Sequence, residues 1–516
     1  MQGKKIYQEK LFNSFRLSER VPETNFYRRL KSVLDLTFLY NKTKCYYGNT
    51  GQKSIDPIVF FKLCLVGYLE NIISDRRLIA HCSMRMDILY FLGYDIDEEL
   101  PWHSTLSRTR QLYPEIVFEE VFSHVVKICV DQGMVSGHTQ AIDSAPIKAN
   151  ASMDSLDLKV PEEDLESYLR EIRHISSVDR HKPLRQARKD KARPEQKTLT
   201  ATSQELQSIK SRQKKWSKDQ DQRPGAKNKG SKYTSNKTHY SPTDPDARIS
   251  VKPGKARKLN YHSHISVDTS HHIITDMQAY HADKKDNQYL QDIVTRTKDR
   301  LWSQGFTMKR VLADAGYSSG ENYAYLEREG IESYIPKHGT YKGGPEGFTY
   351  QGMGNYWLCP QGKAVKFRKQ KTEKATLKDL YLTTRKDCRG CHIKTACIDK
   401  QHEKRISITA YRAEYERNNT RVNSRRGKRM KNKRLSTVEP VFGTLTQFMG
   451  LRKINTIGIE QANKVMHLSA TAYNLKKYVN FIFKQIGTQA KAICFYFFVQ
   501  TLLNWLEIKQ YKPIKL

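Results

Sequence analysis

Three acidic residues sit where carboxylates could do phosphoryl chemistry. Asp143 ends the short apolar run of QAIDSAPIKANAS, and Asp314 ends that of RVLADAGYSS, so each reads as a carboxylate at a strand end. Glu439 lies in RLSTVEPVFGTLTQFMGLRK, where Val438, Val441, Phe442, Leu445, Phe448 and Met449 recur at helical spacing and Gly450 marks a stop. Such a trio can hold Mg²⁺ or Mn²⁺, because hard dications take a few carboxylates and complete their shell with water and substrate phosphate oxygens. Two such ions can activate the attacking oxygen and stabilise the leaving one. Each acid also has a plainer reading. An Asp after a strand commonly caps a turn or helix. Ser436 and Glu439 have capping-box spacing, whereas Pro440 suits a first helical position and would start the helix at Glu439; the residues leave both registers open.

A second chemistry is carried by sulfur. Cys388, Cys391 and Cys397 form C-x₂-C-x₅-C, and Cys359 precedes them in LCPQG. Four thiolates are a structural zinc set, which would stabilise a segment short of core. The 28 residues between Cys359 and Cys388 loosen the fourth assignment and keep His392 and His402 in reserve; four unligated thiols are the alternative.

These residues belong to a chain with a large charge imbalance. Its 516 residues suffice for two or three domains, and 89 Lys and Arg against 54 Asp and Glu give a net charge of +35. That excess suits a polyphosphate partner. Nine bases fall in the 18 residues from Arg417 to Arg434, among them Arg425, Arg426, Lys428, Arg429 and Arg434, and Arg452 and Lys453 follow the Glu439 helix. The first 20 residues lack an apolar signal core, so a cytoplasmic location is expected. AICFYFFVQTLLNWL spans 15 residues, short of the roughly 20 needed to cross a bilayer, and reads as a core or subunit-contact helix. No membrane partner is implied.

The elements that must position these groups can be taken in order. Residues 1–136 read as helical: Asp56-Pro57 opens one helix, Ser74 another, and Ser104 can cap a third carrying Arg108 and Arg110. That basic helix suits either a helix-turn-helix reader of DNA or a plain bundle. From 153 to 240 the chain turns basic, with 18 Lys or Arg against 6 Asp or Glu between Asp179 and Tyr240, and cannot build a core of its own. It reads as a flexible or partly helical insertion. Over 241–340 the pattern predicts a strand, a hairpin about Thr269–His271, a helix over 286–302, the strand ending at Asp314, a helix over 321–328 and a strand over 331–336. That is mixed α/β ordering. Residues 341–402 form the cysteine-rich insertion, 403–480 carry Glu439 and a second amphipathic helix expected to pack behind the site, and 481–516 end in the apolar helix.

Several blocks in this order resemble a DDE transposase of bacterial insertion sequences, in the subgroup with a helical N-terminal domain and a cysteine cluster before the catalytic glutamate. They are SIDPIVFFKLCLVGYLE, LPWHSTLSRTRQ, AIDSAPIKANAS, SPTDPDARIS, YHSHISVD, VLADAGYSS and the stretch from Val438 to Lys477. The resemblance implies a ribonuclease-H-like core built from 137–152, 241–340 and 403–480, with Asp143, Asp314 and Glu439 as catalytic acids. It further implies recognition of element ends by the helical domain, metal-dependent cleavage, transfer of 3′ ends to target DNA, and a dimer or larger complex on double-stranded DNA. Related transposases often carry Arg four residues before the Glu and Lys seven after it; this chain has Leu435 and Thr446 there, with Arg434 and Arg452 nearby. A nuclease of the same fold that cuts without joining, and a DNA-binding repressor without catalysis, are the alternatives. The charge excess predicts that non-specific DNA affinity, followed by fluorescence anisotropy, falls by about a thousandfold between roughly 50 and 200 mM salt.

Overall fold

The structure, a computed structural model, describes residues 14–48, 50, 54–158, 236, 239–250, 257–339, 343–373 and 376–510; the side chains of 157–158 and 486–510 lie outside that description. The described chain forms two compact units, one containing the chain up to Val135 with Val441–Arg452 and the chain from Asn463 onward, the other Ser136–Pro440 with Lys453–Ala462.

The first unit is helical, with α1 (Leu17–Arg20), α2 (Phe26–Val33), α3 (Phe38–Thr43), α4 (Pro57–Leu69), α5 (Asp75–Ser83), α6 (Met86–Leu92), α7 (His103–Leu112) and α8 (Glu115–Asp131). Its hub is α4, whose Asp56 cap accepts from the Ile58 and Val59 amides at 2.7 and 3.2 Å and whose Pro57 takes a position that needs no N–H donor. Phe60 and Phe61 of α4 are fully buried and meet Tyr113 and Phe118 with ring centroids 5.1–6.2 Å apart. Ser74 caps α5 as its sequence predicts. Ser104 does not cap α7, which already begins at His103.

In the second unit, β1 (Thr139–Lys148) pairs antiparallel with β5 (Lys258–Asp268) and parallel with β7 (Arg310–Leu312). Between β1 and β5 in sequence come β2 (Asp157–Leu158), β3 (His239–Tyr240) and β4 (Arg248–Ser250), and β2 pairs with β3. The basic insertion expected over 153–240 otherwise lies outside the described residues. The expected hairpin joins β5 to β6 (Ile274–His281), and β8 (Glu332–Tyr334) lies parallel to β7. The order across the sheet is β4-β5-β1-β7-β8, with β6 also on β5. The helices α9 (Leu290–Trp302) and α10 (Gly320–Arg328) fall where the sequence predicts them. One placement differs. Asp143 is not at a strand end but midway along β1, opposite Ile265, because pairing with β5 carries the extended backbone on to Lys148, well past the apolar run.

The cysteine-rich segment is not short of core. It folds as a five-stranded antiparallel sheet of β9 (Thr349–Gln351), β10 (Tyr356–Leu358), β11 (Ala364–Glu373), β12 (Thr376–Leu382) and β13 (Arg405–Thr409), ordered β13-β12-β11-β10-β9. Trp357, Val365, Tyr381 and Ile406 form its core. Two short helices, α11 (Arg385–Cys388) and α12 (Lys394–Ile398), interrupt it between β12 and β13.

Three long helices close the chain: α13 (Arg412–Asn423), α14 (Arg425–Phe448) and α15 (Ile459–Gln510). Because α14 begins at Arg425, Glu439 is interior to it and neither capping register applies. The Ser424 hydroxyl accepts the Gly427 amide at 3.0 Å, so the capping side chain lies far upstream, and the Ser436 hydroxyl donates back to the Lys433 carbonyl. Phe448 is 62% exposed, so the apolar stripe narrows to Val438, Val441, Leu445 and Met449. Nor is the start of α15 amphipathic: 462–475 is buried throughout. There Asn463 donates to Glu115 Oε2 and Lys464 to the Arg110 carbonyl, both at 3.2 Å, which ties this stretch into the helical unit. The backbone of 492–506 continues α15, and its side chains lie outside the described residues. No described helix is long and apolar enough to cross a membrane.

Asp268, at the end of β5, secures the entry to the central strand. Fully buried, it accepts the Gly137 amide and the Gln140 side-chain amide at 2.9 Å and the Ser270 amide at 2.9 Å. The Ser136 amide and hydroxyl and the Ser270 hydroxyl donate to it as well, so its removal orphans several donors at once. Asp268→Ala is expected to lower the unfolding free energy by about 3 kcal/mol or more, read from denaturant titration.

Candidate active site

The strand pairing brings two of the three acids together. The β1 and β7 chains run parallel in the register Ala141 with Leu312, so Asp143 and Asp314, each two residues further on, project at neighbouring positions. Their charges interact. Burial raises the Asp143 carboxyl above its ordinary value, the nearby Arg434 guanidinium pulls it down, and Asp314 pushes it up, with a net upward direction. Arg434 Nη1 reaches Asp143 Oδ2 at 2.9 Å, and the two side chains are only 13% and 18% exposed.

The Asp314 carboxylate is held by local backbone. Its Oδ1 accepts the Gly316 amide at 2.9 Å, an Asx turn opening the short 3₁₀ turn Ala315–Tyr317. A methyl group placed on Gly316 would lie 3.0 Å from both Asp314 Oδ1 and Asp286 Oδ2, so this glycine sits between two carboxylates with no room for a side chain. Asp286 is a residue that sequence reasoning passed over as a helix start. Its Oδ1 accepts the Ser144 hydroxyl at 2.8 Å, which ties it to the residue after Asp143. Tyr317, fully buried, has its hydroxyl driven far up by burial and then by Asp286, Asp143 and Asp314, and so remains a protonated donor amid carboxylates.

Glu439 is not joined to this pair. It is exposed on α14, five residues beyond Arg434, and makes no hydrogen bond or ion pair among the described residues. The described residues hold one set of three ligand atoms all within 4.8 Å of one another, and it is His262, His264 and Asp286, not the three acids. The signal for it was in YHSHISVD, since alternate residues of a strand share a face.

The expected DNA contacts divide. Arg108, Arg425, Lys428, Arg429 and Lys453 are exposed. Arg110 is not available: both its terminal nitrogens bind Asp75, at 2.8 and 2.9 Å, and lock α7 to α5. Arg434 is likewise taken by Asp143, Arg426 is exposed but leans on Glu332 at 3.3 Å, and Arg452 is exposed while donating to the Thr446 carbonyl. Earlier in the basic run, Arg417 pairs with Glu327 at 2.6 Å and Arg421 with the Ser333 carbonyl at 3.1 Å, so these two bases fasten α13 to α10 and β8. Tyr415 meets Tyr323 edge to face at 4.9 Å and Tyr411 packs on Gly320, so both are partly buried packing aromatics.

The four cysteines converge. Cys359, Cys388, Cys391 and Cys397 line one small cavity, bordered by Thr383 and Lys404. Cys359 closes the turn between β10 and β11, where its Sγ accepts the Lys363 amide at 3.3 Å.

Residues 15–112 match the family model of a transposase domain, DUF772, and residues 358–479 match that of a transposase DDE domain. Both matched segments are thus similar to transposase domains, in keeping with the sequence resemblance. No curated protein and no solved structure matches it. The second match contains Glu439 and all four cysteines of the cavity, while Asp143 and Asp314 fall outside both.

The Arg434 pairing has a pH signature. A carboxyl whose folded value lies above its ordinary 3.8 costs stability as it ionises, so stability declines as pH rises through that range. In Arg434→Gln the Asp143 value should climb further, by about one pH unit or more, and thermal unfolding measured against pH should show a steeper loss than in the unsubstituted chain.

Proposed function

We infer that this transposase-type chain binds the ends of its insertion sequence, cleaves phosphodiester bonds by divalent-metal catalysis at Asp143, Asp314 and Glu439, and transfers the 3′ ends to target DNA. The observation that carries this reading is the closeness of two largely buried carboxylates, Asp143 and Asp314, with a raised Asp143 carboxyl and an arginine as counter-ion. Proteins seldom crowd like charges in a semi-buried site without a cation to meet them. The residues fit Mg²⁺ or Mn²⁺, with Asp143 and Asp314 supplying hard oxygen ligands and Glu439 the third acid. When bound, such a dication supplies activation of the attacking oxygen and charge stabilisation of the leaving one.

The chain's own groups do the rest. Gly316 keeps the Asp314 carboxylate in its Asx turn, Ser144 orients Asp286, and Arg434 holds Asp143 ionised in place. Strand order β5-β1-β7-β8, antiparallel then parallel, supports a ribonuclease-H-like core, with the acids on adjacent central strands. Exposed Arg425, Arg426, Lys428 and Arg429 on α14 are suited to phosphates, as are Arg108, Arg452 and Lys453. The thiols fit a structural zinc: four cysteines on one cavity, one of them already accepting a backbone N–H, are the donor set that ion takes. Bringing two DNA ends together calls for a dimer or larger assembly acting in the cytoplasm.

The test is cleavage of DNA bearing the sequence that flanks the gene, with Mg²⁺. Asp314→Asn and Glu439→Gln are each expected to slow nicking by about a hundredfold or more, with DNA binding retained. Joined products in the unsubstituted reaction would support strand transfer, nicking alone would favour a nuclease, and binding without cleavage would favour a repressor.

A further inference from the structure

Beside the paired acids lies a second group of ligand-type side chains that the proposed chemistry does not use. Three atoms, one each from His262, His264 and Asp286, lie within 4.8 Å of one another. His264 Nε2 is 3.6 Å and His262 Nδ1 3.8 Å from Asp286 Oδ1. The two histidines alternate on β5, so the strand itself aims both rings at one point, and Asp286 is brought to them by the Ser144 hydroxyl at 2.8 Å.

His264 is the telling member. It is fully buried, and its Nε2 finds no hydrogen-bond partner although it is directed at the Asp286 oxygen. An imidazole nitrogen sealed from water and left unbonded is costly. The other ring nitrogen is committed: Nδ1 lies 2.8 Å from the Tyr317 hydroxyl, which can accept its proton and so leave the Nε2 lone pair facing Asp286. Buried metal-binding histidines are oriented in this way by a partner on the opposite nitrogen. Tyr280, Tyr289 and Tyr317 surround the ring with centroids 5.1–5.6 Å away and hold it in place. Asp286, with its side chain 27% exposed, leaves an entrance.

We propose that His262, His264 and Asp286 form a binding site for a first-row transition-metal dication, separate from the Asp143–Asp314 pair and independent of whether that pair cleaves DNA. Two imidazoles and one carboxylate favour borderline ions over Mg²⁺, which prefers an all-oxygen shell. The present separations of 3.6–3.8 Å need only a small contraction to reach a shared ion. Its closeness to the acids is set by Gly316, where Asp286 Oδ2 and Asp314 Oδ1 face the same point.

The probe is Mn²⁺ added to the full chain, with electron spin-echo modulation reading nitrogen on the metal, which neither thiolates nor carboxylates produce. The double variant Asp143→Asn/Asp314→Asn is expected to retain imidazole-nitrogen modulation and one tightly held Mn²⁺. His262→Gln and Asp286→Asn, both partly exposed positions checked for fold by circular dichroism, are expected to weaken that Mn²⁺ at least tenfold and to lose or diminish the nitrogen signal. Excess Mg²⁺ should not displace it. Absence of nitrogen modulation at saturation, its persistence unchanged in both folded ligand variants, or its loss in the double acid variant would each overturn the proposal.

Discussion

Like charge held at close range is the constraint around which the strand unit is organised. Asp143 stands on β1 and Asp314 just past the end of the adjacent parallel strand β7, and a third carboxylate, Asp286, faces Asp314 across Gly316. Such a group is stable only if each charge is met by donors or a counter-ion. The chain supplies Arg434 to Asp143, the Gly316 amide to Asp314 and the Ser144 hydroxyl to Asp286. All three contacts are directional, so the carboxylates are held in fixed orientations.

That arrangement draws on rigid surroundings. Asp268 fixes the entry of β1 through backbone and side-chain donors, and Asp276, fully buried, binds Arg296 and Arg300 of α9 at 3.1 and 2.8 Å. Buried carboxylates thus serve two purposes in one unit. Where several donors converge, as at Asp268, the charge is satisfied and structural. Where donors are few and like charges adjoin, as at Asp143, the site is left able to receive a cation.

Arginine is divided in the same way. A run of nine bases before Glu439 looks uniform in sequence, yet Arg417 and Arg421 tie α13 to α10 and β8 and Arg434 turns inward to Asp143. The exposed remainder on the first turns of α14 forms a smaller and better defined set of solvent-facing bases. Net charge speaks to affinity for polyanions; it does not say which bases are free to meet them.

The sequence alone determined the helices described before Val135, the hairpin and α/β alternation after 241, the cysteine cluster and the likeness to transposase domains, because each is written in local periodicity, caps or motif blocks. Asp56-Pro57 opens a helix wherever it lies, and Cys388 and Cys391 are neighbours by spacing alone. Only tertiary structure decided what depends on partners distant in the chain. Asp143 became a mid-strand residue because β5, over a hundred residues away, extends β1. Glu439 moved to a helix interior because α14 starts at Ser424, whose competing cap is as good locally as Ser436. Arg110 and Arg434 lost their apparent freedom to Asp75 and Asp143, and Asp286 joined His262 and His264 only through folding. Local propensity is additive along the chain, whereas charge pairing and ligand convergence are set by which segments pack together.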